Sequence, residues 1–322
     1  MTTSIPKIDF SPYLQGREKG KRLVASQIGE ACRNIGFFTL IGHGVSLDLI
    51  KKVFFVSKEF HQLPLKEKEE ILISRSPNHR GYHPFSAEAT DPYAKPDLKE
   101  AFDMALELSL EDPDVKAGKP FHGPNIWPKN PSNFKKIVEE YYKSLLKLGE
   151  QICCCFALDL GLEEDFFIEK HSKPMAQLRL LHYPELQMSS YPNQQGAGAH
   201  TDYGSVAILA QDSVGGLEIR NQKGEWVSVE PVTGAFVCNV GHIMEIWTNG
   251  LYPSTWHRVI NNGQDRYSQV LFYDPNYDCL VEPLECCISD DLPANYESIT
   301  MGQYLQETFD KTFVYRNYEE IE

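Results

Sequence analysis

The chain has 322 residues, 42% hydrophobic, 24% charged and 11% aromatic, an ordinary globular composition that excludes disorder, collagen-like repeats and a small disulfide scaffold. Its 45 acidic against 31 basic residues give a formal charge of -14, which argues against nucleic acid and anionic membrane surfaces as partners. The opening MTTSIPKIDF has neither a cationic n-region nor an apolar h-region, and no apolar run approaches the ~20 residues of a membrane span, so a cytoplasmic protein without membrane contact is expected.

In chain order, Ile5–Phe10 alternates as a short strand, and Arg22–Asn34 carries Leu23, Ile28 and Cys32 at helical spacing. Gly36–Ile41 is a β-rich run closed by the turn Gly42–His43–Gly44, and Leu47–Leu63 reads as a helix stopped by Pro64. Residues 73–130 are rich in proline, glycine and charge, which predicts a long loop-rich cover. Asn133–Leu162 returns to helical periodicity. Cys153, Cys154 and Cys155 fall in its apolar stretch, where cysteine serves as a small hydrophobe, and reduced thiols are expected.

From about residue 176 the texture changes. Leu178–Tyr183, Ser205–Ala210, Leu217–Arg220, Trp226–Val229, Ala235–Val240 and Gln269–Tyr273 are short β-rich runs punctuated by glycine, the pattern of a β-sandwich or barrel. Ser298–Phe313 is helical again. A β core with α flanks is expected, with a helical N-terminal region and a C-terminal helix.

Chemistry concentrates in His200–Thr201–Asp202, followed by His257 after 54 intervening residues. Two imidazoles and a carboxylate are the facial set that holds non-haem Fe(II) while leaving coordination positions open. A His-x-Asp on extended chain turns both side chains to one face, and Ser254–Val259 is a short run able to return the third ligand. Nine residues beyond His257, Arg266 and Ser268 again share a strand face, offering a forked donor and a hydroxyl to a carboxylate. Tyr183 can add a phenol to the same anion.

With these residues in view, Gly198–Gly204, Asn249–Val259 and Arg266–Ser268 resemble the Fe(II)/2-oxoglutarate-dependent dioxygenases of the isopenicillin N synthase-like group. Gly36–Phe38 and Gly42–Val45 resemble that group's N-terminal region, so the likeness spans nearly the whole chain. It implies a double-stranded β-helix, a cupin-like jelly roll. The cofactor is Fe(2+), 2-oxoglutarate and O2 are consumed, succinate and CO2 are coproducts, and ascorbate is a candidate reductant. His200, Asp202 and His257 then resemble the iron ligands, and Arg266, Ser268 and Tyr183 the cosubstrate's carboxylate clamp. This chain reads Asn239–Val240–Gly241–His242 where the group often ends in aspartate, so His242 is weighed as a substitute ligand.

Arg80–Tyr82 and Glu88–Thr90 are similar to a stretch in ethylene-forming enzyme and homoarginine hydroxylases, where a glutamate approaches a basic substrate group. That resemblance implies substrate contacts from Glu88, Thr90 and Tyr82. Arg179 is a candidate for a substrate carboxylate, so that Glu88 and Arg179 would receive the two ends of an amino-acid-like molecule. Phe309 and Phe313 are candidates for a lid. His43, His61, His79, His83, His122, His171 and His182 have no ligand spacing and are read as packed or exposed.

The expected division is a dioxygenase N-terminal region at 1–120, helical support at 121–175, the β-helix core at 176–282 and a C-terminal helical lid at 283–322. The expected activity is oxidation of a small, amino-acid-like molecule by hydroxylation, desaturation or ring closure, in a monomer. Two alternatives stand beside it. One is a ferrous oxidase of the isopenicillin N synthase type that dispenses with 2-oxoglutarate, and the other is a barrel that binds small molecules without catalysis.

Overall fold

A computed structural model of the chain describes residues 5–90 and 94–312. The N-terminal region runs β1 (Lys7–Asp9), α1 (Ser11–Leu14), α2 (Glu18–Ile35), β2 (Phe37–Ile41), α3 (Leu47–His61) and α4 (Leu65–Lys68). Helix α2 stops at Gly36, which takes the left-handed conformation at φ 69°. A side chain there would also meet the Pro253 carbonyl at 2.6 Å, so both backbone and space require glycine. Helix α3 starts at Ser46, whose hydroxyl accepts from the Leu49 amide, and ends ahead of Pro64.

The stretch expected to be loop-rich contains β3 (Gly81–His83), β4 (Glu100–Ala105) and α5 (Pro113–Lys116). Strand β4 escapes a hydrophobic-pattern reading because Glu100 and Asp103 interrupt it, yet all six of its residues are buried. Helix α6 (Phe134–Asp159) follows the predicted periodicity and buries Cys153–Cys155; burial pushes all three thiols above their ordinary range. All eight cysteines are free.

The remaining strands are β5 (Gln177–Tyr183), β6 (Ala197–His200), β7 (Val206–Gln211), β8 (Leu217–Arg220), β9 (Trp226–Ser228) and β10 (Phe236–Val240). Helix α7 (His242–Trp247), which the sequence did not announce, precedes β11 (His257–Val259), β12 (Arg266–Tyr273) and α8 (Met301–Thr312). They form an eight-stranded sheet in the order β1-β2-β10-β7-β12-β5-β4-β3 and a four-stranded sheet in the order β6-β11-β8-β9. This is a jelly-roll core with helical flanks.

Period-two alternation divides the large sheet between two cores. Leu178 and Leu180 of β5, Ile208 of β7, Cys238 of β10 and Leu271 of β12 join the helices α2, α3 and α6 in one cluster. Their neighbours Leu181, Tyr183, Ala207, Val237 and Val270 face inward and meet Ala197, Leu217, Ile219 and Val259 of the small sheet. The same parity aims Arg179, Asn239, Arg266 and Ser268 inward, which is how polar residues reach the barrel interior. Among the described residues, no helix is long and apolar enough to cross a membrane.

Leu145 of α6 is fully buried in the outer core. Leu145→Ala is therefore expected to destabilise the protein by about 2–5 kcal/mol through lost burial and a residual cavity, read as a lower urea midpoint with unchanged slope.

Candidate active site

The small sheet assembles the donor triad. β6 and β11 pair antiparallel with His257 opposite His200, and Asp202 follows just beyond the end of β6. The three side chains offer ligand atoms within 4.8 Å of one another. His200 Nε2 and His257 Nε2 stand 3.8 and 3.6 Å from Asp202 Oδ1. Each imidazole uses its other nitrogen on a backbone carbonyl: His200 Nδ1 to Gly198 O at 2.7 Å and His257 Nδ1 to Thr255 O at 3.1 Å. A donated Nδ1–H leaves the Nε2 lone pair facing the site. Burial, and then the neighbouring His257, push His200 down to about 4, so the imidazole is neutral and ready to ligate.

Asp202 is held from β10 and α7. Asn239 Nδ2 donates to Oδ2 at 2.6 Å, the His242 amide donates to the Asp202 carbonyl at 2.9 Å, and Oδ1 is left toward the imidazoles. A Cβ on Gly241 would lie 2.4 Å from the Gly204 carbonyl, so this crossing of backbones needs glycine for space. Two imidazoles and one carboxylate suit a ferrous ion, and these residues fit one. His242 is outside the triad: its Nδ1 contacts Glu245 at 3.2 Å and its ring stacks on Tyr304.

At the inner end of the barrel, β12 pairs with β5 so that Arg266 lies opposite Tyr183 and Ser268 opposite Leu181. Arg266 donates to Gly215 O at 2.6 Å, Ser268 Oγ at 3.2 Å and Gln211 Oε1 at 3.2 Å, with its guanidinium 4.7 Å over the Tyr183 ring. Those acceptors are all neutral, and among the described residues no carboxylate pairs with this buried cation. Gln211 Nε2 beside it has no hydrogen-bond partner. A buried guanidinium without a counter-charge is costly, and an incoming carboxylate would supply the missing charge. Tyr183 lines the cavity; Arg266 and Ser268 stand behind it.

Glu88, Thr90, Lys99, Gln177 and Arg179 also line the cavity. Arg179 was expected to stand apart from Glu88 at a substrate carboxylate, but the two are paired. The β4–β5 register sets Asp103 opposite Arg179, and the guanidinium gives Nε and Nη2 to that carboxylate at 2.9 and 2.8 Å. Its Nη1 donates to both Glu88 oxygens at 3.0 and 3.1 Å. Lys99 Nζ reaches Glu88 at 3.2 Å and Asp97 at 2.8 Å, and Thr90 donates to Asp97. Burial works to raise the Glu88 pKa, but Arg179 and Lys99 overcome it and hold the carboxyl below its ordinary value. Among the described residues, this wall sets three carboxylates (Glu88, Asp97 and Asp103) against Arg179, Lys99 and the imidazole of His83, whose Nε2 lies 2.7 Å from Asp103.

Tyr82 is not at the cavity. It faces the outer core and donates to Glu100 Oε2 at 2.5 Å, because β3 presents it to α3, where Phe60 packs on its ring. Lys68 and His182 also bond Glu100, each at 2.7 Å. Burial tends to raise the Glu100 pKa, and these three partners with His61 outweigh it, bringing the carboxyl down to about 2. Phe309 and Leu305 of α8 line the cavity, and Tyr203 reaches Thr312 Oγ1 at 3.2 Å, so α8 covers this side. Phe313 lies outside the described residues.

Sequence reading missed Lys99, Asp97 and Asp103, whose only signal was charge within a run that is otherwise β-compatible. It also missed Asn239 as the support of Asp202, and Asp274, a buried carboxyl on the cavity wall. His79, His83 and Asp103 form a second close group, but Asp103 is already committed to Arg179, whose guanidinium would repel a metal ion there.

Two sequence families match the chain. Residues 5–130 match the non-haem dioxygenase in morphine synthesis N-terminal family, and residues 174–275 the 2OG-Fe(II) oxygenase superfamily. A homoarginine-6-hydroxylase of Arabidopsis thaliana is 39% identical over 296 residues, covering 88% of both chains. A 2-oxoglutarate-dependent dioxygenase of Monascus ruber is 38% identical, covering 87% of this chain and 88% of its own. Among solved structures, a full-length Neurospora crassa protein in complex with alpha-KG superposes with a TM-score of 0.85 at 29% identity, covering 95% of each chain.

Asn239→Ala would leave Asp202 Oδ2 without its donor and free the carboxylate to turn. Divalent-metal affinity is expected to fall ~10–100-fold, measured by anaerobic Fe(II) or Co(II) titration. Because the Glu100 pKa is lowered by folding, its contribution to stability is complete above the ordinary carboxyl value of 4.5 and is lost as pH falls toward about 2. Glu100→Gln is expected to flatten the stability–pH curve across that window, followed by urea unfolding at successive pH values.

Proposed function

The chain belongs to the 2OG-Fe(II) oxygenase superfamily, and from that premise we propose which residues carry its chemistry and what class of molecule it oxidises. The enzyme is a 2-oxoglutarate-dependent dioxygenase that uses Fe(2+) and acts on small molecules. His200, Asp202 and His257 hold the iron, supported by their convergence and by the backbone carbonyls that hold both imidazole tautomers. Arg266 and Ser268, with Tyr183, anchor the distal carboxylate of 2-oxoglutarate. The buried guanidinium that meets only neutral acceptors supports this.

When bound, the ferrous ion supplies open coordination positions at which 2-oxoglutarate and O2 react, with succinate and CO2 as coproducts. The protein's own part is orientation and exclusion of water. Arg266 neutralises and fixes the cosubstrate at the inner end. Leu181, Leu217, Val259 and Val270 give the cavity its apolar wall, and α8 closes it on the other side.

The primary substrate is a small amino-acid-like molecule with a cationic end directed at Glu88, and hydroxylation is the outcome. The observation that carries this is Glu88 on the cavity wall, its carboxylate favoured by Arg179 and Lys99, with Arg179 itself already engaged by Glu88 and Asp103. A guanidinium or ammonium group is the kind of donor that a buried carboxylate of this wall accepts. The homoarginine-6-hydroxylase relatives support the same class.

The test is an assay with Fe(II), O2 and 2-oxoglutarate over homoarginine, arginine, lysine and uncharged amino acids. Succinate is expected to form in step with a hydroxylated cationic amino acid, and to vanish without 2-oxoglutarate or in His200→Ala. Glu88→Gln is expected to raise KM for the cationic substrate about ten- to hundredfold, the worth of one charged hydrogen bond of about 1.5–3 kcal/mol. Product formed without 2-oxoglutarate would move the enzyme to the isopenicillin N synthase type. Equal turnover of neutral and cationic amino acids would remove the role given to Glu88.

A further inference from the structure

Strand β5 carries Gln177, Arg179, Leu181 and Tyr183 at two-residue steps, and all four line the cavity. The register sets Tyr183 against Arg266 and Gln177 against Phe272, so Gln177 stands at the end of the strand far from Arg266. It is the one residue of β5 that is only half-buried.

The Gln177 amide has one usable orientation. Its Nε2 donates to Asp103 Oδ2 at 2.7 Å. Burial works to raise the Asp103 pKa, but Arg179 and His83 overcome it and hold the carboxyl ionised, able to accept hydrogen bonds and not to donate them. The amide nitrogen must therefore face Asp103, which turns Oε1 away from it. Among the described residues no group donates to Oε1. Nor is Oε1 one of the buried atoms that lack a partner, so it keeps its surface in the cavity that Gln177 lines.

The same carboxylate fixes this acceptor relative to Glu88. Asp103 Oδ2 also receives Arg179 Nη2 at 2.8 Å, and Arg179 Nη1 holds both oxygens of Glu88. Gln177, Asp103, Arg179 and Glu88 thus form one hydrogen-bonded chain that presents a neutral acceptor and a charged one to the same cavity. A carboxylate would be repelled by both. An ammonium group is a compact charge satisfied at Glu88 alone, whereas a guanidinium spreads its N–H donors around a plane and can reach two acceptors at once.

We propose that Gln177 is a specificity-determining residue, its amide oxygen accepting an N–H from the cationic end of the substrate beside Glu88 and selecting a guanidinium over an ammonium group. The inference rests on the cationic, amino-acid-like reading above and deepens it by naming the cation. A side chain held at both acceptors is also fixed in rotation, which limits the carbon atoms presented to the iron.

The experiment is anaerobic binding to the enzyme loaded with Fe(II) and 2-oxoglutarate, followed by the change in its charge-transfer absorbance. The probes are L-homoarginine, L-lysine, which ends in ammonium at the same nitrogen, and L-homocitrulline, which has the shape of homoarginine without its charge. In the wild type, homoarginine is expected to bind about tenfold more tightly than lysine, the worth of one hydrogen bond to a charged group. Gln177→Met and Gln177→Leu are each expected to erase that preference by weakening homoarginine alone, with the affinity for 2-oxoglutarate unchanged. Thermal unfolding accompanies both variants, and either one that folds carries the comparison.

A wild type that binds lysine as tightly as homoarginine, a preference that survives in the variants, or equal weakening of both probes would overturn the role of Gln177 and leave the cationic reading standing. Homocitrulline binding as tightly as homoarginine would instead overturn the role given to Glu88, and with it the paired acceptors inferred here.

Discussion

The site depends first on one strand register. β11 lies against β6 so that His257 faces His200, and only that pairing brings two imidazoles from distant parts of the chain to Asp202. Strand side chains alternate with period two, so a slip of one residue would send His257 to the other face and disband the donor set. The register is braced from both sides. β11 also pairs with β8, where His257 meets Ile219, and the α7 amides of His242 and Ile243 hold the backbone of Asp202 and Tyr203.

Around that register the barrel interior is divided by charge. The inner end holds a cation that lacks an anion, in Arg266. Around Glu88 lies an acidic network in which Arg179 is engaged by Asp103 and Lys99 by Asp97. Between them lie aliphatic side chains from both sheets. Buried charges are tolerable only when paired, and the Arg266 guanidinium meets only neutral acceptors among the described residues.

Much of the site was legible in the sequence because its chemistry is local. His200 and Asp202 are two residues apart, as are Arg266 and Ser268, and a two-residue step on a strand always returns to the same face. Glycine runs and turn spacing announced the β core, and helical periodicity announced α2, α3, α6 and α8. Strand β4 was not legible, since its charges are satisfied only by partners far along the chain: Glu100 by His182, and Asp103 by Arg179. Tyr82 was assigned to the substrate on a local likeness, whereas the pairing of β3 with β4 turns it to the outer core.

By itself, then, the sequence determined that Arg266 and Ser268 share a strand face, that His200 and Asp202 lie close together, and that the core is β, because spacing along an extended chain settles which side chains share a face. It could not decide which charges would neutralise one another. Arg179 and Glu88 each looked like a substrate contact, and their pairing follows from the β4–β5 register, which sets Asp103 opposite the guanidinium. Asp274 looked like any acid before a proline, and only folding left its oxygen buried without a partner. Ion pairing and burial are properties of the assembled sheets, since the groups concerned come from segments whose distance in space the linear order does not contain.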